Sequence, residues 1–192
     1  MEFKKLGRRF YARPALTVAK DLLGKFIVRK HRSKEIVGMI AETEAYIGPE
    51  DRASHAFGGK ITKRNKAEFL VGGHIYIYLV YGMYWQLNIA TGQTGQPECV
   101  LIRALEPAVK AVNSDVIPNG PGKLCKYLKL DKSFYACDIA NNDKIWLEDR
   151  GIKISRQKII SSPRIGIDYA GEWAKKPWRF YVKDNKFISK IK

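Results

Sequence analysis

Two periods run through the hydrophobic and polar positions of this chain. Between Arg13 and Gly24, Ala15, Leu16, Val18, Ala19, Leu22 and Leu23 recur at helical spacing. Pro14 suits the first turn of that helix and Gly24 its C-terminal end. The period then shortens to two. Lys25 to Lys30 reads as a strand, and Ile36 to Tyr46 as its antiparallel neighbour. His74 to Val80 and Tyr84 to Ala90 read as a hairpin with an aromatic tip at Tyr81-Gly82-Met83. Further strands are expected at Cys99 to Ala104, Lys144 to Glu148, Arg164 to Asp168 and Trp178 to Val182. A short helix is expected after Pro107, and another opens at Gly120-Pro121-Gly122 and runs to about Leu128. Residues 48–73, punctuated by Gly48-Pro49, Gly58-Gly59 and Gly72-Gly73, read as a long functional loop with a short helix near Asn65 to Leu70. No repeat or linker interrupts the pattern. One α+β domain over residues 1–192, dominated by antiparallel strands, is the simplest assembly.

One strand breaks its own pattern. The apolar run Ile36-Val37-Gly38-Met39-Ile40-Ala41 leads into Glu42-Thr43-Glu44-Ala45-Tyr46, and Gly48-Pro49 ends it. With side chains repeating every second residue, Glu42, Glu44 and Tyr46 share a face. Two carboxylates on an otherwise half-buried strand ask for a reason, and general-base chemistry is one.

Charge sharpens the question. The 192 residues hold 35 Lys and Arg against 19 Asp and Glu, a net charge of +16, which points to nucleic acid or another anionic surface. The alternative is a lysine-rich solubilising surface. Basic residues recur in clusters along the chain, which suits a folded basic face better than a disordered arm. A carboxylate in a binding face of such a protein is repelled by its polyanionic ligand, so Glu44 stands out further. The cysteines, Cys99, Cys125 and Cys137, are widely spaced, with no C-x-x-C and no histidine set beside them. No metal site or cofactor is expected, and the thiols read as inert in a reducing compartment. Lys4, Lys5, Arg8 and Arg9 are followed by no apolar stretch of a secretory signal, and no run is long enough to span a bilayer.

Other residues add parts to a site. Tyr76 and Tyr78 share one hairpin face, with Ile75, Ile77 and Leu79 on the core face. Tyr81 and Met83 at the tip are placed to wedge between base pairs, although a tyrosine-rich strand is also an ordinary packed strand. The 52–66 loop carries His55, Lys60, Lys63, Arg64 and Lys66, whose cations can meet phosphates; the alternative is a solvated surface loop. No phosphate-binding glycine motif or zinc-deaminase signature occurs. Stacking tyrosines, a wedge, phosphate-binding cations and one general base are what an enzyme needs to extrude a base and cleave its glycosidic bond.

These residues carry a family resemblance over nearly the whole chain. Besides Glu42 to Tyr46, the matching runs are Gly48-Pro49-Glu50-Asp51 with His55, Gly58-Gly59, Thr62, Arg64-Asn65, Tyr76 to Tyr84 and Asn88. Leu101 to Pro107, Gly120 to Cys125, Lys132-Ser133-Phe134 and Ala170 to Pro177 follow in order. The chain resembles the alkyladenine (3-methyladenine) DNA glycosylases of the mammalian type. The resemblance implies a mixed α/β domain with a curved antiparallel sheet and a protruding DNA-binding hairpin. It implies Glu44 as the base activating a water, with Arg103 and the backbone carbonyl of Ile165 helping to hold that water. It implies Tyr46, His55 and Tyr78 around the flipped base, Asn88 excluding undamaged guanine, and Tyr81 as the intercalating wedge beside Met83. The segment between Pro107 and Gly120 is shorter than the family's, Tyr169 stands where a histidine is expected, and Asp168 replaces a small residue.

The expected reaction is monofunctional hydrolysis that leaves an abasic site, because no lysine stands beside Glu44 as an amine nucleophile. An alkylated purine is cationic, so aromatic faces attract it by roughly 1–2 kcal/mol when desolvated. The expected partner is double-stranded DNA holding damaged purines, met by a monomer with no membrane association. The expected compartment is the nucleoid-associated cytoplasm of a bacterium or the nucleus of a eukaryote. The competing class is a non-catalytic binder of damaged or single-stranded nucleic acid, which shares the basic face but releases no base.

Overall fold

The computed structural model describes residues 3–108 and 116–189. The short helix expected after Pro107 falls on 109–115, outside the described residues. Near the N-terminus a two-residue strand, β1 (Lys4–Lys5), precedes the short helix α1 (Arg8–Tyr11) and then α2 (Ala15–Asp21). The second helix is shorter than its apolar pattern because Leu22 to Gly24 turn back toward the sheet. Gly24 takes φ +83°, open to glycine at little cost, and its N–H donates to Ile40 O at 3.0 Å.

Eight further strands follow: β2 (Phe26–His31), β3 (Lys34–Ile47), β4 (Ile75–Val80), β5 (Tyr84–Thr91), β6 (Glu98–Pro107), β7 (Ile145–Asp149), β8 (Ile159–Ser162) and β9 (Arg179–Val182). Helix α3 (Pro121–Tyr127) lies between β6 and β7. Every pairing is antiparallel, in the order β1-β7-β2-β3-β6-β5-β4, with β9 joining β3 and β8 joining β9. The α+β architecture and the hairpin are as the sequence predicts.

Strand β3 organises the sheet. Lys34 to Met39 pair with β2, whereas Glu42 to Glu44 pair with β9 on the same edge. The opposite edge pairs with β6 from Gly38 to Ile47, with register shifts around Glu42. Such a bulge bends a strand and re-aims its side chains. Here it lies where one face of the strand begins serving the site while the other stays in the core.

The two faces beyond the bulge have separate tasks. Ala45, Val100, Ile102, Ile75, Ile77, Leu87 and Ile89 enter the main core, with Val18 and Ala19 of α2, Leu22 just after it, and Leu124 and Cys125 of α3. Burying each large aliphatic side chain contributes roughly 1.5–3 kcal/mol. On the opposite face the register sets Tyr46 against Cys99, Glu44 and Asn88 against Leu101, and Tyr76 against Asn88. Residues directly opposed across strands share a face. A row of polar and aromatic groups therefore crosses β3, β6, β5 and β4.

Two local expectations are corrected. Residues 164–168 are not a strand. Pro163 cannot donate to a ladder and Gly166 takes φ +75°, so Ile165 and Ile167 alternate without pairing. The neighbouring strand is β8, which ends at Ser162. Leu79, expected on the core face, is 38% exposed because the hairpin projects past the core. Among the described residues no helix is long and apolar enough to cross a membrane.

Candidate active site

Glu44 is fully buried and surrounded by donors. Its Oε1 accepts from the Ile165 N–H at 2.8 Å, and its Oε2 accepts from the Tyr46 hydroxyl at 2.9 Å. Arg103 Nη1 stands 3.2 Å from the same Oε2. A carboxylate offers about four lone-pair sites, so one remains. The acceptor-only, anionic form is the one these neighbours match. Tyr46 and Arg103 border a cavity of about 260 Å³, as do Ile165 and Gly166, and Glu44 sits one layer behind that wall.

Glu42 anchors Arg103 from behind. Its Oε1 accepts from Arg103 Nε at 3.3 Å and Arg179 Nε at 2.6 Å, and its Oε2 from the Ser189 N–H at 2.6 Å. Glu42, Arg103 and Arg179 are all buried. Burial disfavours the charge on Arg103, but Glu44 and Glu42 outweigh it, and the guanidinium is held charged. The acid pair noticed in the sequence thus divides its work: Glu42 fixes the arginine and Glu44 lies just behind the cavity wall.

A second buried pair fixes the Ile165 N–H. Arg164 grips Asp51 with both terminal nitrogens, at 2.5 and 2.9 Å, and the two side chains are completely covered. Arg164 also donates to Ala45 O and Trp173 O, and its guanidinium lies 4.6 Å from the Tyr46 ring centre. One arginine therefore ties the Gly48–Asp51 turn, the Tyr46 ring and the unpaired 164–168 segment together.

The cavity is small and aromatic. A pocket for a drug-sized ligand spans roughly 300–1,000 Å³, and this one matches a single base. Tyr46, His55, Tyr76, Tyr78, Asn88 and Leu101 line it, and among the described residues no lysine does. Burial, then the charge of Arg64, lower the His55 pKa to about 4, so its ring is neutral at neutral pH. His55 Nδ1 shares a hydrogen bond with the Tyr76 hydroxyl at 2.6 Å. The His55 and Tyr78 rings touch edge to face, with centroids 4.7 Å apart. A base stacked with a ring on each side needs about 7 Å between those rings, twice the contact distance. No slot for a base stands open between these two; one entering there has to part them. Asn88 is buried, with Nδ2 donating to Gln86 O at 3.3 Å.

The hairpin and basic loop flank this cavity. Tyr81 is 86% exposed and Met83 65% exposed. Tyr81 takes φ +50° and Gly82 φ +70° in a turn closed by the Met83 N–H to Val80 O bond. Positive φ at a bulky residue costs of order 1–3 kcal/mol. A side chain both strained and exposed serves no packing purpose here. Lys60, Lys63 and Lys66 are exposed. Arg64 is exposed as well, but its guanidinium lies 4.7 Å from the Tyr78 ring centre and the residue lines the cavity. Tyr169, 72% exposed, borders the same cavity.

Comparison with known proteins decides the family. The family model for methylpurine-DNA glycosylase matches residues 9–186. The chain belongs to the methylpurine-DNA glycosylase family. It is 44% identical over 187 residues to a putative 3-methyladenine DNA glycosylase of Borreliella burgdorferi, covering 96% of this chain and all of that protein. It is 45% identical over 195 residues to a protein of the same description from Methanocella arvoryzae, covering 96% of each. The human DNA-3-methyladenine glycosylase is 38% identical over 206 residues, covering 97% of this chain and 68% of the human protein.

Within this glycosylase the structure brings Glu44, Tyr46, Arg103 and Ile165 together, and gathers His55, Tyr78, Asn88 and Arg64 around the adjoining cavity. Ile165 meets Glu44 through its backbone N–H. Four site residues carried no role in the sequence reading: Asp51, Arg164, Arg179 and Glu68. Asp51 lay in a quoted motif, and a buried arginine was its missing partner. Glu68 lay in the expected short helix, where a carboxylate reads as a solvated position.

Proposed function

We propose that this glycosylase flips alkylated or deaminated purines out of duplex DNA and hydrolyses their N-glycosidic bond with a water activated by Glu44, leaving an abasic site. By family it is a DNA glycosylase of DNA repair. The observation that carries the finer reading is a buried carboxylate with donors on three acceptor positions and one left over, behind the wall of a base-sized aromatic cavity. A water in that fourth position gives its proton to Glu44 as its oxygen adds to the sugar C1′. Arg103 and the backbone at Ile165 orient carboxylate and water, and a positioned base of this kind is worth about 10²–10⁴ in rate. That no lysine among the described residues lines the cavity supports hydrolysis over amine attack.

Binding follows from the same surfaces. The extruded base stacks on Tyr46 and Tyr78 beside neutral His55, which does not repel a cationic purine. That base competes with Arg64 for the Tyr78 face. Asn88 at the cavity floor tests the base edge and rejects guanine. Lys60, Lys63 and Lys66 reach phosphates. We take residues 1–192 as a single glycosylase domain acting as a monomer on damaged double-stranded DNA. It works where the genome lies, in nucleoid-associated cytoplasm or in a nucleus.

The deciding assay is base release from duplexes each carrying one 3-methyladenine, 7-methylguanine, hypoxanthine or ethenoadenine. Free base should appear, with a strand that breaks only after alkali. Tight lesion binding without release would favour the non-catalytic binder. Tyr81 is tested alongside. Its insertion offsets unstacking costs of a few kcal/mol. Tyr81→Ser should slow excision from stable duplexes more than from mismatched sites, and equal losses on both would leave Tyr81 no wedge function.

A further inference from the structure

Glu68 is a cavity-lining carboxyl group whose chemistry the proposed mechanism does not use. It lies on a short 3-10 turn, Lys66–Phe69, packed against β4, β5 and β6. The residue is 1% exposed and lines the cavity beside Asn88 and Cys99. Its Oε1 accepts from the Cys99 thiol at 3.3 Å. Its Oε2 has no hydrogen-bond partner among the described residues. A buried polar oxygen left unpaired is destabilising, more so if charged. A carboxylic acid at the floor of a binding cavity with one oxygen unpaired is matched to a ligand that supplies the partner.

Building on the glycosylase reading, we infer that Glu68 is a catalytic acid for uncharged purine lesions, giving its Oε2 proton to a ring nitrogen of the bound base as the glycosidic bond breaks. The need follows from the leaving group. A purine alkylated at N3 or N7 already carries positive charge and departs as a neutral base. Hypoxanthine is neutral and departs as an anion unless a proton reaches it. As the C1′–N bond breaks, its electron pair goes to the base, and the Glu68 proton neutralises the charge that develops. The water at Glu44 forms the new C1′–O bond and leaves its proton on Glu44. One water is consumed; Glu44 then loses a proton to solvent and Glu68 regains one.

The surroundings keep the proton in place. The groups facing Glu68 are the Cys99 thiol, the Tyr76 and Tyr78 phenols and the Arg64 guanidinium. Burial raises the carboxyl pKa to about 8, while the Cys99 hydrogen bond and Arg64 pull it down by less. Burial holds the Cys99 thiol far above its ordinary range, so it stays a neutral donor. The acid form therefore dominates at neutral pH and is lost as pH rises through about 8.

The test compares a neutral with a cationic lesion. Single-turnover release of hypoxanthine and of 7-methylguanine is measured for the wild-type protein and Glu68→Gln, which keeps the shape and the Cys99 acceptor but holds no transferable proton. Hypoxanthine release should fall by about 10²-fold in Glu68→Gln, the lower range for a lost general acid, with 7-methylguanine within a few-fold of wild type. In the unaltered protein, hypoxanthine release alone should decline above pH 8, which tests the idea even if the variant folds badly. Equal losses on both lesions, unchanged hypoxanthine release, or parallel pH profiles would each overturn it. Wild-type release of 7-methylguanine without hypoxanthine would also overturn it, while leaving the glycosylase reading intact. Release of neither base would remove that reading and this one together.

Discussion

Glu44→Gln is expected to lower single-turnover base release by about 10²–10⁴-fold while lesion-containing DNA still binds. The amide fits the space behind the cavity wall. Its carbonyl accepts from the Ile165 N–H where Oε1 does now, and its NH₂ turns to Tyr46, whose hydroxyl reverses to become the acceptor. What is lost is the only group at that position able to take a proton from water. Arg103 loses one of its two carboxylates but keeps Glu42 at 3.3 Å, so the scaffold survives. Binding and turnover therefore separate, and a binding assay beside a single-turnover assay reads the split. Near-normal release in this variant would remove Glu44 from the chemistry. Loss of binding in step with release would instead make it a structural residue.

How much of this was legible in the sequence depends on range. The polar and aromatic face needed only period-two alternation along β3 and β4, so Glu42, Glu44, Tyr46, Tyr76 and Tyr78 were visible as a set. The exposed tip at Tyr81 and Met83 was visible because two apolar runs flank a Gly-containing turn. Residues 164–168 misled for the same reason: Ile165 and Ile167 alternate like a strand, but around Gly166 Ile167 packs beside Ala53, Ala170 and Tyr46 while the Ile165 N–H turns to Glu44. The supporting charges were out of reach. Arg179 meets Glu42 from 137 positions away and Arg164 meets Asp51 from 113, through the docking of β9 and of a loop with no period of its own. Periodicity locates a residue on its own element and is silent about which distant element covers it. The resemblance supplied Arg103 and the Ile165 backbone, but not the arginine that holds the Ile165 N–H in place.

That arginine gives the largest expected effect on stability. Asp51→Ala should destabilise the fold by about 3–5 kcal/mol, because it leaves the wholly covered Arg164 guanidinium without its countercharge. Against a total stability of about 5–15 kcal/mol this is a large fraction. It corresponds to a fall in melting temperature of roughly 6–20 °C for a chain of this size. Base release should suffer beyond the loss of folded protein. A released Arg164 no longer fixes the turn that aims the Ile165 N–H at Glu44, nor the guanidinium behind Tyr46. The double variant Asp51→Leu with Arg164→Met separates the two roles. Replacing both ions of a buried pair by apolar groups is often neutral or stabilising, so much of the lost stability should return. Base release should not, because neither new side chain can hold Ala45 O, Trp173 O and the Tyr46 ring at once. Denaturant unfolding of the single and double variants, with excision measured where each is fully folded, reads both effects. Recovery of excision along with stability would show that the pair only fills space. A loss below about 1 kcal/mol in Asp51→Ala would show that water reaches Arg164, contrary to its complete burial.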